Sequence, residues 1–160
     1  MTASDRATEL ATAAALAASD KLANDVVALD VSDQLVITDI FLVASAPNDR
    51  QVRAIVDAVE EKLLTMGAKP IRREGHREGR WVLLDFGDLV VHVQHAEERE
   101  YYSLERLWRD CPAIDLPKEA RGRPKGSEDG GSYTDGTDTG GAAAWYRAGD
   151  PEGGSGSEES

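Results

Sequence analysis

Residues 50–66, RQVRAIVDAVEEKLLTM, carry their apolar side chains along one stripe only: Val52, Ile55, Val56, Val59 and Leu63. Spaced i, i+3, i+4, i+7 and i+11, they predict a helix with one face to bury and the other for water. Such a helix takes most of its stability from packing, so another apolar layer has to lie against the stripe. The runs on either side supply one. DVVALDV (25–31) and ITDIFLVAS (37–45) precede the helix, and KPIRRE (69–74), RWVLLDF (80–86) and LVVHVQH (89–95) follow it. Each is short and bounded by turn residues, and most are rich in branched apolar residues, which is strand character. Gly87-Asp88 between the last two signals a hairpin. The third run, with Pro70 and paired arginines, suits a sheet edge.

Two more helices complete the pattern. Residues 5–23 are rich in Ala and Leu, with Leu10, Ala13, Ala14 and Ala17 on one face and Ser4 or Asp5 placed to cap the start. Asp49 is placed to cap the helix at 50–66, and Gly67 to stop it. A final helix is predicted over EREYYSLERLWRD (98–110), ended by Pro112. The order is helix, two strands, helix, three strands, helix. It implies one α/β (α+β) domain over residues 5–117, a mixed sheet of about five strands covered by helices. Residues 118–160 hold 11 of the 15 glycines and few branched apolar residues, and are expected to form a disordered tail. AAAWYR (142–147) is its only apolar island: a weak docking motif, or inert.

The net charge is −12. Residues 1–118 hold 14 Lys+Arg against 21 Asp+Glu, and the remainder 4 against 9, so both parts are acidic. That argues against wrapping nucleic acid, where affinity comes from neutralising phosphates, and suits a basic protein partner. The first residues lack a secretory pattern, and no apolar run approaches the roughly 20 residues that cross a bilayer. Cys111 is the single cysteine, which excludes an internal disulfide. A soluble cytoplasmic protein without a membrane partner is expected.

The candidate chemistry is thin. DFGD (85–88) contains the magnesium-binding tripeptide of protein kinases, but no Gly-rich phosphate loop or catalytic loop accompanies it. His92 and His95, three apart on a strand, point to opposite faces, so no metal site is expected. Ser45 ends a strand before a helix in a loop without the glycines that phosphate binding requires. RREGHREGR (72–80) gathers Arg72, Arg73, Arg77 and Arg80, either for phosphates and acidic surfaces or as a solvated hairpin. On a helical wheel Tyr101, Leu104, Trp108 and Cys111 share one side, which would bury, and Tyr102, Glu105, Arg106 and Arg109 share another. Tyr102 is then either a border of the core or a residue for an interface.

Several of these segments together are similar to the ribosomal silencing factor (Iojap-like) family. EGRWVLLDFGDLVVHVQ followed by REYYSLERLW carries the strongest likeness, and DVSDQLVITDIFLVAS and DRQVRAIVDAVEEKL extend it over residues 5–117. The resemblance implies a nucleotidyltransferase-like domain without catalytic machinery and without a cofactor. It implies a translational repressor that binds the large ribosomal subunit through that subunit's ribosomal protein number fourteen. Small-subunit joining is then blocked when nutrients are short. It places the family's conserved surface on Trp81, Asp85, His92, Arg99, Tyr102, Leu104, Glu105 and Trp108. Leu104 and Trp108 are expected to pack inward, and Tyr102 and Glu105 to make the contact. Gln94 stands where the family commonly has an aromatic residue. The family also has dimeric members, and the alanine-rich helix or a strand edge would serve self-association. The alternatives are a nucleotidyltransferase-like enzyme using Ser45, Asp85 and Asp88, or a passive factor in large-subunit biogenesis.

Overall fold

The structure, a computed structural model, describes residues 2–124. Helix α1 (Asp5–Asp20) is followed by strands β1 (Asn24–Asp30) and β2 (Ile40–Ala46), then helix α2 (Asp49–Thr65). Strands β3 (Arg72–Glu74), β4 (Trp81–Asp85) and β5 (Leu89–His95) come next, then helices α3 (Ala96–Tyr102) and α4 (Leu104–Leu107). The sheet runs β1-β2-β5-β4-β3, with β2 and β5 parallel and every other pair antiparallel. This is the mixed five-stranded α+β domain that the order of apolar runs implies.

Strand alternation gives the sheet two buried faces. Ala28, Ile40, Leu42, Ala44, Val82, Leu84, Val91 and Val93 point toward α1 and α2, where the whole Val52–Leu63 stripe is buried. Ala7, Ala11, Ala14, Ala15 and Ala18 of α1 are buried there too, so the alanine face packs within its own chain. Leu29, Val31, Phe41, Val43, Leu83 and Val90 point the other way, under Leu104, Trp108 and Cys111. Burial on both faces explains why the central strands read as continuous apolar runs.

Local chemistry set several boundaries away from the expected ones. Asn48, not Asp49, caps α2, its Oδ1 accepting from the Gln51 amide at 2.8 Å. Strand β2 begins at Ile40, three residues later than expected. The Asp39 carbonyl accepts from the Val31 amide and the Asp39 carboxylate from the Ser4 amide, which holds 32–39 as a turn with Ile37 exposed. The chain also stays packed past residue 117. A 3-10 turn, Lys118–Ala120, lies on α1, and Arg121 and Arg123 accept from the amides of Val26 and Asp25. Together with the Ala113–Leu29 bridge they cover the β1 edge. Most of the expected tail, including AAAWYR, lies outside the described residues.

The largest correction concerns the last helix. It is not continuous over 98–110: Ser103 is left-handed (φ 47°) and splits it into α3 and α4. In an unbroken helix residues 99 and 105 would sit about 120° apart around the axis and about 9 Å along it, out of each other's reach. The break brings Glu105 to Arg99, with Nη2 to Oε2 at 2.7 Å. The helical wheel therefore fails at Tyr101. Expected in the core with Leu104 and Trp108, it is 62% exposed, and Tyr102 turns in toward the sheet.

A candidate partner-binding face

The candidate residues lie on the sheet face away from α1 and α2. Pairing register arranges that face in three transverse rows: Leu29, Phe41, Val90 and Asp85; then Val27, Val43, His92 and Leu83; then Ser45, Gln94 and Trp81. Helix α3 starts where β5 ends, at the third row, and Leu104 of α4 and Trp108 just beyond it pack in the cluster with Leu29, Phe41, Val43, Leu83 and Val90.

An aromatic path runs through these rows to the surface. Trp108 meets Phe41 edge-on, with centroids 5.3 Å apart, and Phe41 meets His92 at 4.9 Å. The Trp81 indole N–H donates to His92 Nδ1 at 3.1 Å. Tyr102 packs on Trp81 at 4.9 Å, and Tyr101 stands edge-on to Tyr102 at 4.8 Å. The path begins in the core and ends at an exposed tyrosine. His92 is fully buried, and burial lowers its pKa to about 3. A neutral ring that accepts at Nδ1 carries its proton on Nε2.

Arg99 fastens α3 to the sheet. It is 6% exposed, and beyond its ion pair to Glu105 it donates to the Asp25 carbonyl at 2.6 Å and to Ser45 Oγ at 3.1 Å. Asp25 and Ser103, at the two ends of this network, both have positive φ. Their strain, of order 1 kcal/mol each, is held by the arginine between them. Asp85 shapes the β4–β5 turn: its Oδ1 accepts from the Gly87 amide at 2.8 Å, and its Oδ2 lies 3.6 Å from Arg72.

The eight expected site residues thus share one face in different ways. Trp81 and Tyr102 are half-buried and reach the surface, with Glu105 and Asp85 at its margins. Arg99 and His92 lie beneath them, and Leu104 and Trp108 pack inward. Three of the four arginines of the basic turn are ion-paired: Arg72 with Glu74 and Asp85, Arg73 with Glu60, and Arg80 with Glu97. Sequence reasoning missed Tyr101 as the exposed end of the path and Ser103 as its hinge. A Ser between two helical runs, able to bond the backbone locally, was the available signal.

Chemistry does not converge. Ser45 lies four residues along β2 from the row that holds Asp85, about 13 Å along the strands. Ser45 is engaged by Arg99 and Asp85 by the turn. His95, Glu97 and Glu98 bring ligand atoms within 4.8 Å of one another, but Arg80 bonds both glutamates. Among the described residues no helix is long and apolar enough to cross a membrane.

Fold and face together define an α+β domain with an aromatic, acid-flanked surface on one side of a mixed sheet. The family model for the ribosomal silencing factor during starvation matches residues 4–138. Ribosomal silencing factor RsfS of Bacillus subtilis (strain 168) is 45% identical over 103 residues, 64% of this chain and 87% of that protein. Protein Iojap, chloroplastic, of Zea mays is 32% identical over 106 residues, 64% of this chain and 45% of that protein. A crystal structure of a Chromobacterium violaceum protein superposes with a TM-score of 0.63 at 34% identity, covering 71% of this chain and 94% of that one. The chain belongs to the ribosomal silencing factor family.

Proposed function

We propose that this protein represses translation by occupancy. It binds the large ribosomal subunit through ribosomal protein number fourteen, covers the surface that meets the small subunit, and so prevents joining when nutrients are short. The observation that carries this reading is the aromatic path that surfaces at Trp81, Tyr102 and Tyr101, the composition of an interface centre rather than of a solvated face. The acidity of the chain supports it: negative charge favours approach to a basic ribosomal protein and disfavours the surrounding RNA. Silencing by occupancy needs no catalytic group, and a rigid, half-buried anchor serves it well. Tyr102 is the anchor and Tyr101 its exposed neighbour, with Glu105 bordering them.

Co-sedimentation with purified large subunits tests the reading. Tyr102→Ala is expected to weaken binding by roughly 2 kcal/mol or more, a loss of about thirtyfold, while the variant stays folded. Equal binding by the variant removes this face from the mechanism.

A further inference from the structure

The polar groups of the third row are committed to one another, with one exception. Ser45 receives Arg99, the Trp81 N–H is given to His92, and Arg99 also spans Glu105 and the carbonyls of Asn24 and Asp25. Gln94 sits between Ser45 and Trp81 in the register and is fully buried. Neither its Oε1 nor its Nε2 has a hydrogen-bond partner among the described residues. A carboxamide offers two donors and one acceptor, and burying it unpaired is costly in a position where an apolar side chain would cost nothing.

We propose that Gln94 is a partner-binding residue, its carboxamide held under α3 for a peptide or carboxamide group that the partner inserts beside Trp81 and Tyr102. This inference rests on the reading that this face is the subunit-binding face, and deepens it by naming the group recognised.

The surroundings select the ligand chemistry. A phosphate only accepts, and would leave the Gln94 Oε1 without a donor. A main-chain peptide group or an Asn or Gln side chain both donates and accepts, which matches both ends of Gln94 and carries no charge to repel. The way in lies between two rings. Tyr102 and Trp81 are both half-buried, and the residue after Tyr102, Ser103, is the left-handed hinge of the broken helix. Entry at the third row requires Tyr102 to part from Trp81, whose ring centroid lies 4.9 Å away.

Gln94→Met keeps the length and volume of the side chain and removes both polar atoms, so it is expected to act with opposite signs on the two states. The free protein gains a thermal midpoint higher by about 4 °C, since the unpaired amide is gone. Affinity for purified large subunits falls about tenfold, since the partner's group now loses its pair. A more stable variant with unchanged affinity overturns the proposal, because the amide is then only a burden to the fold. A less stable variant also overturns it, because Gln94 then has its partner, water included, in the free protein. Wild-type protein that fails to bind large subunits at all defeats the underlying reading, an outcome separate from either of these.

Discussion

Lowering the pH from about 7.5 to about 5 probes the centre of the aromatic path, because His92 is buried there as a neutral ring. Its ordinary pKa is 6.5, and burial lowers it to about 3 in the folded protein. Between those values the unfolded chain binds a proton that the folded chain refuses, so stability falls as pH falls. The contribution is complete above pH 6.5 and is lost progressively toward pH 3. At about pH 5 the unfolded chain has gained roughly 1.5 units of proton affinity over the folded one, which is about 2 kcal/mol.

Urea unfolding of the wild type and of His92→Leu at both pH values isolates this contribution. The other ionisable groups are common to both proteins and cancel in the difference. The wild type is expected to lose about 2 kcal/mol more than the variant between about pH 7.5 and about pH 5. Parallel losses would mean that His92 charges freely in the folded state. The Trp81–His92 hydrogen bond and the closed packing around it would then be wrong.

Two further substitutions test the supports of the face. Arg99→Met strips the hydrogen bonds to Ser45, Asn24 and Asp25 and removes the ion pair to Glu105. It is expected to cost about 2 kcal/mol in urea unfolding and to free the amides of α3 for hydrogen exchange, and a change below about 0.5 kcal/mol would show that Arg99 is no clamp. At Gly75 (φ 78°) an added methyl would run into the Trp81 carbonyl. Gly75→Ala is expected to cost at least about 2 kcal/mol and to weaken large-subunit binding through a displaced Trp81, and unaltered stability contradicts that approach.

Much of this fold was legible because two periodicities dominate it. The Val52–Leu63 stripe and the apolar runs that became β1, β2, β4 and β5 state their own layers, and Gly87-Asp88 marks its own turn. What was hidden depends on contacts between residues far apart in sequence. The local signal for a break in EREYYSLERLW is a single serine: a wheel places Tyr101 with Leu104 and Trp108, and the contacts that accompany the turn at Ser103 include those of Arg99 to Ser45 and Asp25, 54 and 74 residues away. The same holds for the site. Trp81, Tyr102 and Glu105 were recognisable from the family likeness, yet the roles of Arg99 as a buried clamp and Asp85 as a turn brace follow from partners that the sequence does not juxtapose. The start of β2 went astray for the same reason, since the Asp39 carboxylate is occupied by Ser4, 35 residues away.

The central claim is that occupancy of the large subunit stops joining, and light scattering of purified subunits tests it most directly. Large subunits are incubated with the protein or with Tyr102→Ala, small subunits are added, and the rise in scattering on joining is followed. The wild type is expected to suppress the rise in proportion to its occupancy of large subunits, while Tyr102→Ala leaves joining at the rate seen without added protein. Wild-type protein that saturates large subunits and leaves joining unchanged would contradict the account, and would make this chain a passenger on the subunit rather than its silencer.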